Sequence, residues 1–290
     1  MDNWIFYSVL MFGFSVCTYL LTRKLQVNKV DNRLVVYAVG ALPLLTLFIY
    51  NLANGANFAL EGGSIFLLAV TGIFFSYLGN KFSVEATKEA PNPGYSLIIQ
   101  KSYAPFTAVM GVLFYNQTIT LTGAVAIVVI IISTAQILLN PSQKKVKSGR
   151  RWVVQSFLAF FLFGMLSLVS KHIMAQNVAP YLLTFYNFLF ASVAFSIDYR
   201  DALRPSNLRK LSWKTILILF VIGTSNALFN IAMFSAVRLA PNIGYVNIIN
   251  SSSITLITLL SALFFKDKLS LQKILGVIGV TCGLILLFTA

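Results

Sequence analysis

Long apolar stretches alternate with short polar connectors from one end of this chain to the other. A window of about 20 residues, the length that crosses the hydrocarbon core of a bilayer, picks out ten of them. They fall near 4–22, 34–52, 64–86, 94–115, 119–139, 152–174, 181–199, 214–236, 243–265 and 270–289. The connectors are too short to hold a separate domain. The pattern therefore predicts an all-α integral membrane protein of ten transmembrane helices. The first stretch follows only "MDN", without a basic leader or a small-residue cleavage site, and is expected to be a retained helix rather than a signal peptide.

Composition agrees. Hydrophobic residues make up 58% of the chain and charged residues 10%, with a mean hydropathy of +0.81; a soluble domain is closer to half apolar and one quarter charged. The net charge of +14 would suit a nucleic-acid partner if it were spread evenly. It is not. With ten spans the connectors alternate between two sides, and 19 of the 22 basic residues fall on the side of the first connector, including the run "KKVKSGRR" at 144–151. Such asymmetry marks the cytoplasmic face, so the basic loops are expected inside, both termini outside, and the protein in a plasma or inner membrane. Anionic lipid headgroups are sufficient partners for those loops, and no nucleic acid is expected. Trp4, Trp152 and Trp213 stand at span starts, where an interfacial belt would place them.

A helix-breaking phrase occurs twice: "APNPGY" at 90–95 and "APNIGY" at 240–245. An offset of 150 residues aligns 90–120 with 240–270 at ten identical positions, among them Pro91/Pro241, Asn92/Asn242, Gly94/Gly244 and Tyr95/Tyr245. The offset also sets Asn80 on Asn230 and Ser76 on Asn226. Shared greasiness does not reproduce Pro, Asn, Gly and Tyr in one order. Each half thus holds five spans, residues 1–140 and 152–290 around a basic linker at 141–151. Because five is odd, the second half is expected to enter the membrane from the opposite side, an inverted repeat of the kind that supports alternating access to a midplane site.

The segments "APNPGY…FYNQTITLTG" and "APNIGY…FFKDKLSLQKILG", together with the span count and the half-repeat, resemble the drug/metabolite transporter superfamily, in particular its ten-helix EamA-type branch. In that family the fourth helix of each half is followed by a short polar hairpin and a Gly-containing fifth helix. The resemblance implies a permease and leaves the substrate open. Many members carry both termini in the cytoplasm, the reverse of the charge map here. The small four-helix relatives couple export to protons through a first-helix glutamate, and the first span here has none.

Polar residues inside spans are costly and mark candidate pathways. Span three offers Ser76 and Asn80, span four Gln100, Tyr103 and Lys101, span eight Asn226 and Asn230, and span nine Asn247 and Asn250. These are the candidate cavity-lining residues, expected to face one another around a pseudo-twofold axis, with interhelical hydrogen bonding as the alternative role. Lys101 lies about 10 Å into its span at 1.5 Å per residue, where it could meet an anionic group of the substrate, pair with Glu85 or reach back to the basic face. Glu85, four residues after Lys81 and able to pair with it, is the candidate for proton coupling. His172 is expected at an interface, and Gly279 and Gly283 at a close helix contact within the protein. One histidine, two scattered cysteines and no paired intramembrane acids assemble neither a catalytic nor a metal site, so no enzyme and no cofactor is expected. The reading is a secondary transporter, functional as a monomer, that exports a small polar metabolite such as an amino acid. The alternatives are an exchanger of phosphorylated or other anionic metabolites and a passive facilitator.

Overall fold

The computed structural model describes residues 3–91, 93–139, 149–208, 211–265 and 269–289. Within them lie ten helices long and apolar enough to span a membrane, and no strand. In chain order they are α1 Asn3–Val27, α2 Asn32–Ala53, α3 Gly62–Glu89, α4 Gly94–Tyr115 and α5 Leu121–Leu138. The second half supplies α6 Arg151–Ala175, α7 Pro180–Asp198, α8 Trp213–Leu239, α9 Ile243–Phe265 and α10 Leu271–Phe288. Helices are the expected solution, because hydrocarbon offers backbone N–H and C=O groups no partner outside the segment itself.

The halves interleave. α1 lies along α8 and α6 along α3, while α1 also touches α9 and α6 touches α4. α2 meets α7 and α8, α7 meets α2 and α3, α4 meets α9, and α5 meets α10. Exchanging the halves maps each of these pairings onto another or onto itself. α5 packs closely on α10, where a Cβ on Gly276 would stand 2.7 Å from the Ser133 carbonyl. Small residues permit such approach, and close packing rather than hydrophobicity holds helices together in lipid. The expected close contact at Gly279 and Gly283 is internal, against Ser133 and Ile130 of α5.

Three spans depart from a regular helix. In α2, Pro43 has no N–H for the Val39 carbonyl, and the helix divides into Asn32–Gly40 and Pro43–Ala53. The Asn226 side chain of α8 fills the vacancy, donating to the Val39 oxygen at 2.7 Å. In α4, Pro105 likewise deprives the Lys101 carbonyl, and the helix breaks at Ser102 between Pro93–Lys101 and Tyr103–Tyr115. α3 widens to a π-helix over Thr71–Leu78, where Gly72 lets the α7 backbone in; a Cβ there would lie 2.6 Å from the Asn187 carbonyl.

Candidate transport site

The phrase at 240–245 has a structural task. Ala240 is extended, as a residue before proline prefers to be, and α8 stops there. Asn242 is fully buried and caps α9: its Oδ1 accepts from the Gly244 N–H at 2.7 Å, while its Nδ2 donates to the Ala108 carbonyl of α4 at 3.2 Å. Gln117, in the turn between α4 and α5, accepts the Ile243 N–H at 3.0 Å. Asn116 makes that turn possible with a left-handed backbone, φ 49°. A Cβ on Gly244 would sit 2.6 Å from the Ala108 Cα, so glycine is what allows the two helices to meet. Tyr245 takes the Thr120 N–H at 3.2 Å and packs against Trp4, ring centroids 6.3 Å apart. Trp4 is accordingly buried in the core.

The first copy is set differently. Tyr95 is 44% exposed where Tyr245 is 2%. Asn92 lies outside the described residues, as do Lys144, Lys145, Lys147, Arg209, Lys210, Lys266 and Lys268.

Between the two phrases runs a seam of buried polar side chains. Asn250 donates to the Tyr103 hydroxyl at 3.1 Å. Asn247 donates to Thr107 at 2.8 Å and to Ser167 of α6 at 3.3 Å. Ser15 of α1 bonds Ser253 at 3.2 Å. Toward the basic end, Gln100 donates to Ser96 at 2.8 Å and accepts from Ser83 at 2.6 Å, and Ser96 meets Ser156 of α6 at 2.8 Å. Ser96, Gln100, Tyr103 and Thr107 follow helical spacing and share one face of α4. Tyr19 of α1 is 52% exposed, against 5% for Tyr103.

The structure therefore gathers Gln100, Tyr103, Asn247 and Asn250 and leaves the other candidates aside. Asn80 bonds the Ser76 carbonyl of its own helix at 2.7 Å, and Asn230 does the same with the Asn226 carbonyl at 2.8 Å. Asn226 serves the Val39 carbonyl. From α3 the seam receives Ser83 in place of Ser76 and Asn80, and the remaining partners come from α1 and α6, which cross α9 and α4. Ser15, Ser156 and Ser167 are single hydroxyls in apolar runs, and nothing in their spacing sets them apart.

Lys101 is on a different side. It lies about 100° around α4 from Gln100, in a crevice between α4, α5 and α9 with Ile98, Ser102, Ile131, Thr134, Ala135, Ile248 and Ser251. It does not pair with Glu85. That carboxylate accepts from Gln155 at 2.7 Å and stands 3.8 Å from Arg151, at the basic end of α3. Nor do Lys81 and Glu85 pair, because Asp198 of α7 takes Lys81 at 2.8 Å and the Tyr77 hydroxyl at 2.8 Å. Four residues along one helix could have joined Lys81 to Glu85; the neighbouring helices offered each a better-placed partner. His172 is exposed and contacts Gln176 at 3.2 Å.

Ten apolar helices with hydrogen-bonded polar groups between them define a multi-pass membrane protein. A solved crystal structure, described simply as that of a protein, has the same fold: TM-score 0.74, 12% identity, 97% of this chain and 98% of that one covered. No curated protein matches the chain significantly. Residues 150–289 match the EamA-like transporter family, a group of transporters rather than enzymes, and ten apolar helices fit the drug/metabolite transporter superfamily to which that family belongs.

Proposed function

We propose that the protein is a secondary carrier for a small polar metabolite of amino-acid size, exported by alternating access to the seam between α1, α4, α6 and α9. The observation that carries this reading is the hydrogen-bonded set of neutral groups, Tyr103 with Asn250 and Asn247 with Thr107 and Ser167, inside the span region. Neutral donors and acceptors suit a zwitterionic or uncharged polar solute, which can exchange bonds with amides and hydroxyls without a fixed counter-charge. Lys101 faces away from them, so an exchanger of phosphorylated compounds has less support.

Two further features favour alternating access. The principal helix pairings survive exchange of the halves, as they do when two five-span units of opposite sense interleave. The two copies of the repeated phrase differ at their tyrosines: Tyr245 is buried and bonded to the Thr120 N–H, while Tyr95 is exposed. A carrier caught with one end fastened has this asymmetry. The orientation that follows from the charge map has the tied end outside, and a single copy of the chain holds both halves that the cycle needs. If protons drive export, Glu85 is the acid that carries them.

Reconstituted protein tests the reading by counterflow. Unlabelled amino acid inside the vesicles is expected to accelerate uptake of labelled amino acid, and Tyr103→Phe and Asn250→Ala to cut that exchange at least tenfold with the protein still folded. Flux indifferent to trans substrate would make the protein a pore, and exchange confined to phosphorylated compounds would replace the substrate class.

A further inference from the structure

The crevice beside Lys101 is separate from the polar seam and has its own chemistry. Lys101 and Ser251 are equivalent through the 150-residue offset, as are Ile98 and Ile248, and all four line the same crevice. It therefore lies where α4 and α9 face each other across the pseudo-symmetry, backed by Ile131, Thr134 and Ala135 of α5.

Two other lysines within spans have partners. Lys81 has Asp198, and Lys171 caps the end of α8 by donating to the Val237 and Arg238 carbonyls at 2.8 Å each. Among the described residues Lys101 has neither a hydrogen bond nor an ion pair, and no carboxylate lines its crevice. Thr134 is 5% exposed and its hydroxyl is also without a partner. Ser102 and Ser251 add hydroxyls that now donate to carbonyls of their own helices. An ammonium withdrawn from water is expensive until a counter-charge joins it. The cavity measures about 10 Å³, on the scale of a single water or small ion.

We propose that the crevice formed by Lys101, Thr134 and Ser251 binds a single monatomic inorganic anion of the halide class, as a site distinct from the transported solute's. The ammonium supplies the charge and the Thr134 and Ser251 hydroxyls turn to donate. The anion neutralises Lys101 and bridges the fourth, fifth and ninth spans.

The test is thermal unfolding of the purified full chain in detergent, with chloride or bromide replacing gluconate at constant ionic strength. The expected result is a saturable rise in melting temperature with either halide and none with acetate or phosphate. Lys101→Met is expected to abolish the rise and, in gluconate, to melt at or above the wild-type temperature, since it removes an uncompensated charge. Should that variant fail to fold, Thr134→Val and Ser251→Ala decide, each expected to raise the half-saturating halide concentration about tenfold. The proposal is overturned by a wild-type protein indifferent to halide, by an equal rise with acetate or phosphate, by an undiminished rise in Lys101→Met, or by unchanged half-saturation in both hydroxyl variants.

Discussion

Asn242 performs two tasks that substitution can separate. Its carbonyl oxygen caps α9 through the Gly244 N–H, and its amide ties α9 to the Ala108 carbonyl of α4. Loss of an N-cap side chain costs about 1 kcal/mol, and an interspan hydrogen bond contributes about 0.6 kcal/mol. Ala108 sits inside its helix, where the carbonyl also has an intrahelical donor. Losing the tie therefore leaves no orphaned group, and the smaller figure stands. Asn242→Ala should then destabilise the protein by about 1.6 kcal/mol. Asn242→Ser keeps an oxygen within reach of the Gly244 N–H and forfeits only the amide, for about 0.6 kcal/mol. Reversible unfolding of the purified protein in mixed micelles, with a denaturing detergent as the variable, resolves a difference of this size. If serine proves as damaging as alanine, the cap contributes nothing and the account of the repeated phrase fails. If neither variant is destabilised, the burial of Asn242 has no energetic consequence and both assignments are wrong.

Two other consequences are open to measurement. Asn226→Leu leaves the Val39 carbonyl without a donor and should cost about 1–3 kcal/mol; Pro43→Ala returns a backbone N–H to that carbonyl, so the same substitution in that background should cost less than half as much. Equal costs in the two backgrounds would show that Asn226 is not compensating for the proline. At the start of α2, the Arg33 guanidinium bonds Asp31 and holds its carboxyl below the usual carboxylate range. A lowered folded pKa stabilises above the ordinary value and is lost as pH falls through the folded one. Hydrogen-exchange protection of the Arg33 amide should therefore be level at neutral pH and decline only in acid below that range, and Asp31→Asn should remove the decline.

The sequence by itself determined the ten spans, to within five residues at each end, because the bilayer leaves a chain no alternative to helices of that length and greasiness. It also determined the repeated phrase, since the order Pro, Asn, Gly, Tyr survives in the letters whatever the fold does with it. The kinks at Pro43 and Pro105 follow from a missing N–H and were equally open to reading. The partners were decided only by the tertiary structure. Asn80, Asn226 and Asn230 read in the sequence as the same kind of intramembrane amide as Asn247 and Asn250. Yet one set satisfies helix carbonyls and the other joins α9 to α4 and α6. Spacing along one helix assigns a residue to a face but does not say which helix covers that face. Lys101 and Gln100 are neighbours in the chain, and the rotation of about 100° per residue sends one toward α5 and the other toward α3. Asp198 shows the same limit, for an acid at the end of α7 finds Lys81 only when α3 is laid beside it.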